Sequence, residues 1–304
     1  MSTSSSKTII AVSGPTAIGK TSLAIKLARH FYTEIISADS RQFYKEMSIG
    51  TAVPNATELA AVPHHFIQHK SIHDYYTVGS YEKDAIQKTQ SIFSTKEQLV
   101  LVGGSGLYMN AVLNGMDEFP NVDPAIRNEL NHKYKTQGII VLQELLKKHD
   151  PVYFQKVDIS NPQRIIRALE VSIQAKTPYS SFLDQPKKDR DFKHIHLGLT
   201  APREIIYDRI NKRVAIMLEA GLLDEAEKLF EYRSLNALQT VGYKELFRYF
   251  EGAHSLDFAI AEIKKNTRRY AKRQLTWLRR NPTVNWIEYD TDFEEVINII
   301  ERKL

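Results

Sequence analysis

The 304-residue sequence contains no cysteine. That one absence excludes disulfides, thiolate metal sites and cysteine nucleophiles. No apolar run approaches the roughly 20 residues a membrane span needs, so no membrane partner is expected. The stretch Met1 to Ser6 is small and polar with no apolar core behind it. It does not read as a secretory signal, and a cytoplasmic enzyme is the expectation. Beyond that serine-rich start there is no low-complexity segment and no internal repeat. What is present is ordinary for a globular protein: 42% hydrophobic and 25% charged residues. The length allows one large or two modest domains. The net charge of +5 hints mildly at an anionic partner.

The chain is organised around Gly14-Pro15-Thr16-Ala17-Ile18-Gly19-Lys20-Thr21. This stretch fits the G-x-x-x-x-G-K-[ST] phosphate-loop pattern. It follows the apolar run Thr8 to Val12 and precedes a helical pattern from Ser22 to Ala28, the strand–loop–helix context the motif requires. Two glycines let successive N–H groups converge on a phosphate, and the positive end of the following helix points at the same place. Lys20 adds a mobile cation for the outer phosphate, and the Thr21 hydroxyl suits Mg2+. The loop says that a polyphosphate binds, not which one.

Two further strand ends join it. Glu34 to Ala38 reads as a short buried strand ending in Asp39-Ser40-Arg41-Gln42. Ligands of open parallel sheets sit beyond the carboxyl ends of strands, which would turn Asp39 toward the phosphate loop. Capping a following helix explains Asp39 equally well. Gln98 to Val102 is a third buried strand, running into the glycine-rich turn Gly103-Gly104-Ser105-Gly106-Leu107-Tyr108. One shared ligand site explains two such turns at neighbouring strand ends. Between them, His64, His65, His69 and His73 invite a metal reading. Phe66 and Ile67 suggest a strand instead, and no carboxylate pattern completes a site.

The texture changes after Gly115. From Val122 to Arg190 only helices are expected, with 12 Lys or Arg against 8 Asp or Glu. Strand character returns at Lys193 to Leu199. A helix follows from Pro202 to Leu218, with Arg209 and Arg213 on one face where both could reach one phosphate group. Another long helix, Ala259 to Arg280, carries eight Lys or Arg and no acid from Lys264 onward. Its Tyr270 and Trp277 share a face. Basic residues interleaved with aromatics suit a nucleic-acid backbone and its bases. A solvated helix packed by its aromatics would look the same. The whole is an α/β protein: a P-loop NTPase-like core with a parallel sheet flanked by helices over residues 1–121 and 191–304, plus an inserted all-helical domain over 122–190.

Taken together the motifs resemble the bacterial tRNA dimethylallyltransferases, also called tRNA isopentenyltransferases. The resemblance is carried by Gly14 to Thr21, Ala38 to Gln42, Ile49-Gly50-Thr51-Ala52, Gly103 to Tyr108, Asn161 to Glu170, Gly242-Tyr243-Lys244-Glu245 and Arg269 to Gln274, in family order over nearly the whole chain. It implies transfer of a dimethylallyl group from dimethylallyl diphosphate to the exocyclic N6 amine of the adenosine 3′-adjacent to the tRNA anticodon. The loop Gly14, Pro15, Thr16, Ala17, Ile18, Gly19, Lys20 and Thr21 would then hold the diphosphate of the prenyl donor rather than ATP. Thr21 would place Mg2+, Asp39 would be the general base, and Arg209 would grip the diphosphate. Asp39, Ser40, Arg41, Gln42, Ser105, Arg127, Gln163, Arg164, Ile165, Ile166 and Arg167 would contact the anticodon stem-loop of the tRNA. The inserted helical domain would serve tRNA binding, and the protein is expected to be a monomer. The sequence departs from the family pattern in Ser105 for threonine, Phe43 for an aliphatic, Ile18 for a small residue and Leu278 for an aromatic. None removes a proposed catalytic group.

Other readings share the phosphate loop. An isopentenyltransferase acting on free adenine nucleotide would need no RNA clamp. A P-loop kinase for a small metabolite would bind ATP and use Asp39 to activate a hydroxyl. A non-catalytic RNA-binding module with a relic loop would not depend on Asp39.

Overall fold

The computed structural model describes residues 7–185 and 189–304; Met1 to Ser6 and Pro186, Lys187 and Lys188 of the inserted block lie outside them. The chain forms two compact units, one running from Gly115 to Asp189 and the other made of the residues on either side.

The outer segments build an α/β unit. In chain order these are β1 (Thr8–Ser13), α1 (Lys20–His30), β2 (Ile35–Ser37), α2 (Ala56–Ala61), β3 (His64–His65), α3 (Val78–Phe93), β4 (Gln98–Gly103) and α4 (Gly106–Asn114). The helical unit holds α5 (Pro124–Gln137), α6 (Ile139–His149), α7 (Pro151–Lys156) and α8 (Pro162–Ala175). The α/β unit then resumes with β5 (Lys193–Thr200), α9 (Arg203–Glu219), α10 (Leu222–Lys228), α11 (Tyr243–Phe250), α12 (Leu256–Leu278), β6 (Asn285–Glu288) and α13 (Phe293–Glu301). The six strands lie in the order β3-β2-β4-β1-β5-β6, and every pairing is parallel. β1 is central, with Ile10 opposite both Val100 and Ile195.

Both faces of the sheet are covered, which is why its strands read as continuous apolar runs. Side chains alternate along β1. Ile10 and Val12 join Leu27 of α1, Ile210 of α9 and Ile300 of α13 in one core. Ile9 and Ala11 join Tyr81 of α3 and Met109 of α4 in the other. A third core, around Met47, Leu222, Leu238, Tyr243 and Phe247, packs α10 and α11 together. The strand suggested by Phe66 and Ile67 stops at His65, because Phe66 takes a left-handed φ of 63°.

The helical unit has its own core of Leu130, Leu142, Leu146, Ile165, Ile166 and Leu169. Three of its helices start on a capping side chain followed by proline: Asp123 accepts from Ala125 N, Asp150 from Tyr153 N, and Asn161 from Arg164 N. It begins at Gly115, ahead of the expected start at 122, and Phe119 within it stacks on Tyr179 with ring centroids 5.1 Å apart.

Candidate active site

Three neighbouring strands, β2, β4 and β1, end side by side, and each is followed by one of the turns singled out in the sequence. The phosphate loop leaves β1 and enters α1 at Lys20, with Ala17 and Gly19 in left-handed conformations (φ 67° and 111°). The Ile18 side chain is buried in the core beneath the loop, so it does not line the ligand side.

The cations around the loop are distinctive. Lys20 Nζ donates to Pro15 O at 2.8 Å. Burial, and then the neighbouring Arg213 cation, push Lys20 down to about 8, with Asp39 pulling the other way. Arg213 itself is held below the usual arginine range by burial, partly offset by Asp39 and Glu58. Its Nη1 reaches Thr16 Oγ1 at 3.4 Å. Arg209, one turn away on α9, is committed elsewhere: Nη1 donates to Ile18 O at 3.0 Å, and its guanidinium lies 4.5 Å over the Tyr289 ring. Two half-buried cations thus meet at the loop, and among the described residues no carboxylate lies within ion-pair distance of either.

Asp39 follows β2 in a turn, not at the start of a helix. Its Oδ1 accepts from Arg41 N at 3.1 Å. It lies close enough to shift Lys20, Arg213 and Tyr270 by its charge. The turn is tied to the second glycine-rich turn through Ser105: Ser40 N donates to Ser105 Oγ at 3.1 Å, and the two hydroxyls are 3.0 Å apart. Burial, then the Asp39 charge, push the Tyr270 phenol up to about 12, and it hydrogen-bonds Ser105. Arg41 directs Nη1 to the carbonyls of Asn236 and Ala237 at 2.9 and 2.8 Å.

α12 closes the arrangement. Gln274, only 8% exposed, accepts from Thr16 N at 2.9 Å and donates to Gly104 O at 2.8 Å, stitching the two glycine-rich turns together. Trp277 packs against Gly106, where a Cβ would come within 2.4 Å of the indole; only glycine fits there. A cavity of about 300 Å³ opens between these parts, lined by Ser13, Gly14, Ser40, Gly103 to Met109, Tyr270, Arg273, Gln274, Trp277 and Leu278. Sequence reasoning missed Gln274 as a site residue. The available signal was an amide in a basic helix, in register with Tyr270 and Trp277.

The remaining expected residues lie in the helical unit. Ile165 and Ile166 are fully buried there, so their side chains cannot meet RNA; they are the apolar face of α8. Arg127 and Arg167 converge on Glu170, which is 2% exposed, with Arg127 Nη2 and Arg167 Nη1 at 2.8 and 2.7 Å from Oε1. Burial pushes the Glu170 carboxyl up, and the two arginines outweigh it, leaving it below the usual carboxylate range. Gln163 and Arg164 are exposed on the first turn of α8. The four histidines are scattered: His65 pairs with Glu34 at 2.5 Å, His64 bonds Val62 O, His69 sits among Phe43, Phe66 and Tyr76, and His73 packs on Tyr232.

A phosphate loop and a carboxylate turn at the carboxyl ends of two strands of one parallel sheet define a P-loop-type α/β enzyme. The profile of the IPP transferase family matches residues 42–281. The tRNA dimethylallyltransferase of Christiangramia forsetii is 57% identical over 97% of this chain and 98% of its own length; that of Flavobacterium johnsoniae is 55% identical over 98% of each. The tRNA isopentenylpyrophosphate transferase structure from Bacillus halodurans matches with a TM-score of 0.71 and 37% identity over 97% of this chain and 95% of that one. A eukaryotic dimethylallyltransferase acting on tRNA matches with a TM-score of 0.77 and 27% identity over 94% of this chain and 75% of that one. The chain belongs to the IPP transferase family.

Proposed function

We propose that the protein transfers the dimethylallyl group of dimethylallyl diphosphate to the N6 amine of the adenosine 3′-adjacent to a tRNA anticodon. The observation that carries this reading is the pairing of two half-buried cations with no carboxylate partner, Lys20 and Arg213, with the Asp39 carboxylate beside a cavity rich in apolar surface. The names of the relatives and the tRNA-acting structural neighbour support the acceptor.

The adenine amine is a poor nucleophile because its lone pair is delocalised into the ring. As it attacks the allylic carbon it gains positive charge, and Asp39 accepts the proton as general base. The C–O bond to the diphosphate breaks, and negative charge develops on the leaving oxygens. The loop N–H groups, Lys20 and Arg213 stabilise that charge where it forms. Arg213 takes this role in preference to Arg209, whose guanidinium braces the loop through Ile18 O. Among the described residues no cluster of three His, Asp or Glu side chains could cage a metal. That fits Mg2+, which is typically bound through one or two protein groups and substrate phosphates; the Thr21 hydroxyl would hold it, and it would neutralise the diphosphate. Trp277, Tyr270 and Gln274 wall the cavity and keep water from the cationic carbon. The target base must leave its stack to reach the site. Exposed cations on α12, among them Arg269, Lys272 and Arg273, and Arg164 in the helical unit, are suited to the RNA backbone.

The test is incubation with Mg2+, dimethylallyl diphosphate and unmodified tRNA, with AMP replacing tRNA in a parallel tube, followed by nucleoside mass spectrometry. Prenylated adenosine in the tRNA tube alone is expected. Prenylated AMP would reassign the acceptor to a free nucleotide.

A further inference from the structure

A glutamate outside the cavity is bound like a ligand. Glu225, on α10, receives three successive backbone N–H groups: Ser48 and Ile49 donate to Oε2 at 2.9 and 2.8 Å, and Gly50 donates to Oε1 at 2.9 Å. The Tyr243 hydroxyl donates to the same Oε1 at 2.6 Å. Burial, and then the Glu225 charge, push that phenol far above its ordinary value, so it stays a donor. The Tyr243 ring is fully buried and presses on Gly50, where a Cβ would come within 2.6 Å of it. Two segments that mark the family resemblance, Ile49 to Ala52 and Gly242 to Glu245, are therefore the two halves of one clamp.

The clamped loop leads to the reaction. Gln42 Nε2 donates to Thr51 O at 3.3 Å and to Ala52 O at 2.9 Å, and Gln42 N donates to Asp39 O at 3.1 Å. Gln68 closes the ring, its N–H on Gln42 O at 2.8 Å and its amide on Ser48 Oγ at 2.6 Å. None of these bonds touches the phosphate loop.

We infer that Glu225, with Tyr243, is a positioning residue that fixes the Asp39 turn through the 48–52 loop and leaves the donor site alone. The inference rests on Asp39 being the general base. Charge-assisted bonds to three amides define a loop's geometry more tightly than apolar packing does, and a displacement of about 1 Å at a reacting group is enough to lower a rate about 100-fold.

The experiment is a double-mutant cycle on the full chain, with kcat per folded molecule and donor KM measured on tRNA. Glu225→Ala is expected to lower kcat 10- to 30-fold with donor KM changed less than twofold. Tyr243→Phe, which keeps the ring on Gly50 and loses one bond, is expected to lower kcat about threefold and guards against Glu225→Ala failing to fold. In an Asp39→Asn background both changes are expected to have no further effect. Equal losses in both backgrounds, a proportional rise in donor KM, or kcat within twofold of the parent in both single variants would each overturn the inference. Asp39→Asn at nearly the parent rate would overturn the base assignment as well, which distinguishes that failure from a failure of the clamp alone.

Discussion

The two units of this protein treat their basic side chains in opposite ways. In the helical unit, Arg127 and Arg167 close on a carboxylate that is 2% exposed, and Arg167 also lies 5.1 Å from the Phe119 ring. In the α/β unit, Arg213 and Lys20 are half-buried at the phosphate loop, and only the more distant Asp39 and Glu58 offset the desolvation. The first arrangement is finished within the fold. The second holds positive charge partly out of water without an ion-pair partner, which is unfavourable by itself and favourable once an anion arrives. Charge census alone cannot separate the two, because both appear in a sequence as basic helices.

The comparison can be pressed by substitution. The largest effect is expected at Asp39: Asp39→Asn should lower single-turnover prenyl transfer about 10²- to 10⁴-fold, the usual contribution of a general base, while tRNA retention on a filter stays near the parent value. Glu170→Ala should remove the carboxylate that Arg127 Nη2 and Arg167 Nη1 both bond and lower helical-unit stability by about 2 kcal/mol, the scale of hydrogen bonds to charged groups; urea melts would register it. The same melts on Lys20→Met should show no loss, because that cation has no ion-pair partner to strand. Its effect should fall on the ligand, weakening donor binding about 100-fold in calorimetry, in line with losing a strong charge-assisted bond. A milder effect should follow pH. Lys20 titrates near 8 without ligand, and a bound diphosphate favours its protonated form. Donor affinity should therefore hold below pH 8 and weaken about tenfold by pH 9, with Lys20→Met abolishing the dependence. If instead Lys20→Met destabilised the fold and Glu170→Ala weakened donor binding, the contrast between the units would be reversed.

Much of this was legible in one dimension. Continuous apolar strands, a glycine-rich loop and capped helices are local patterns, and Asp123-Pro124 and Asn161-Pro162 start helices where the sequence placed them. Helix faces were harder. Ile165 and Ile166 sit inside a motif taken as RNA-facing, yet their own periodicity with Leu169 marks them as core. Arg209 and Arg213 share a helix face, and nothing within the helix says that Tyr289 stacks on the one while burial beside Lys20 singles out the other.

The sequence by itself determined the phosphate loop, the parallel α/β core and the helical insertion, because each depends on residue types at fixed short spacing. Only the tertiary structure decided which charges are left for a ligand. Whether Arg167 or Arg213 is neutralised, whether Gln274 joins two loops, and whether Glu225 holds three amides all depend on partners between 3 and 258 residues away. The energy of a buried charge is set by what the fold puts next to it.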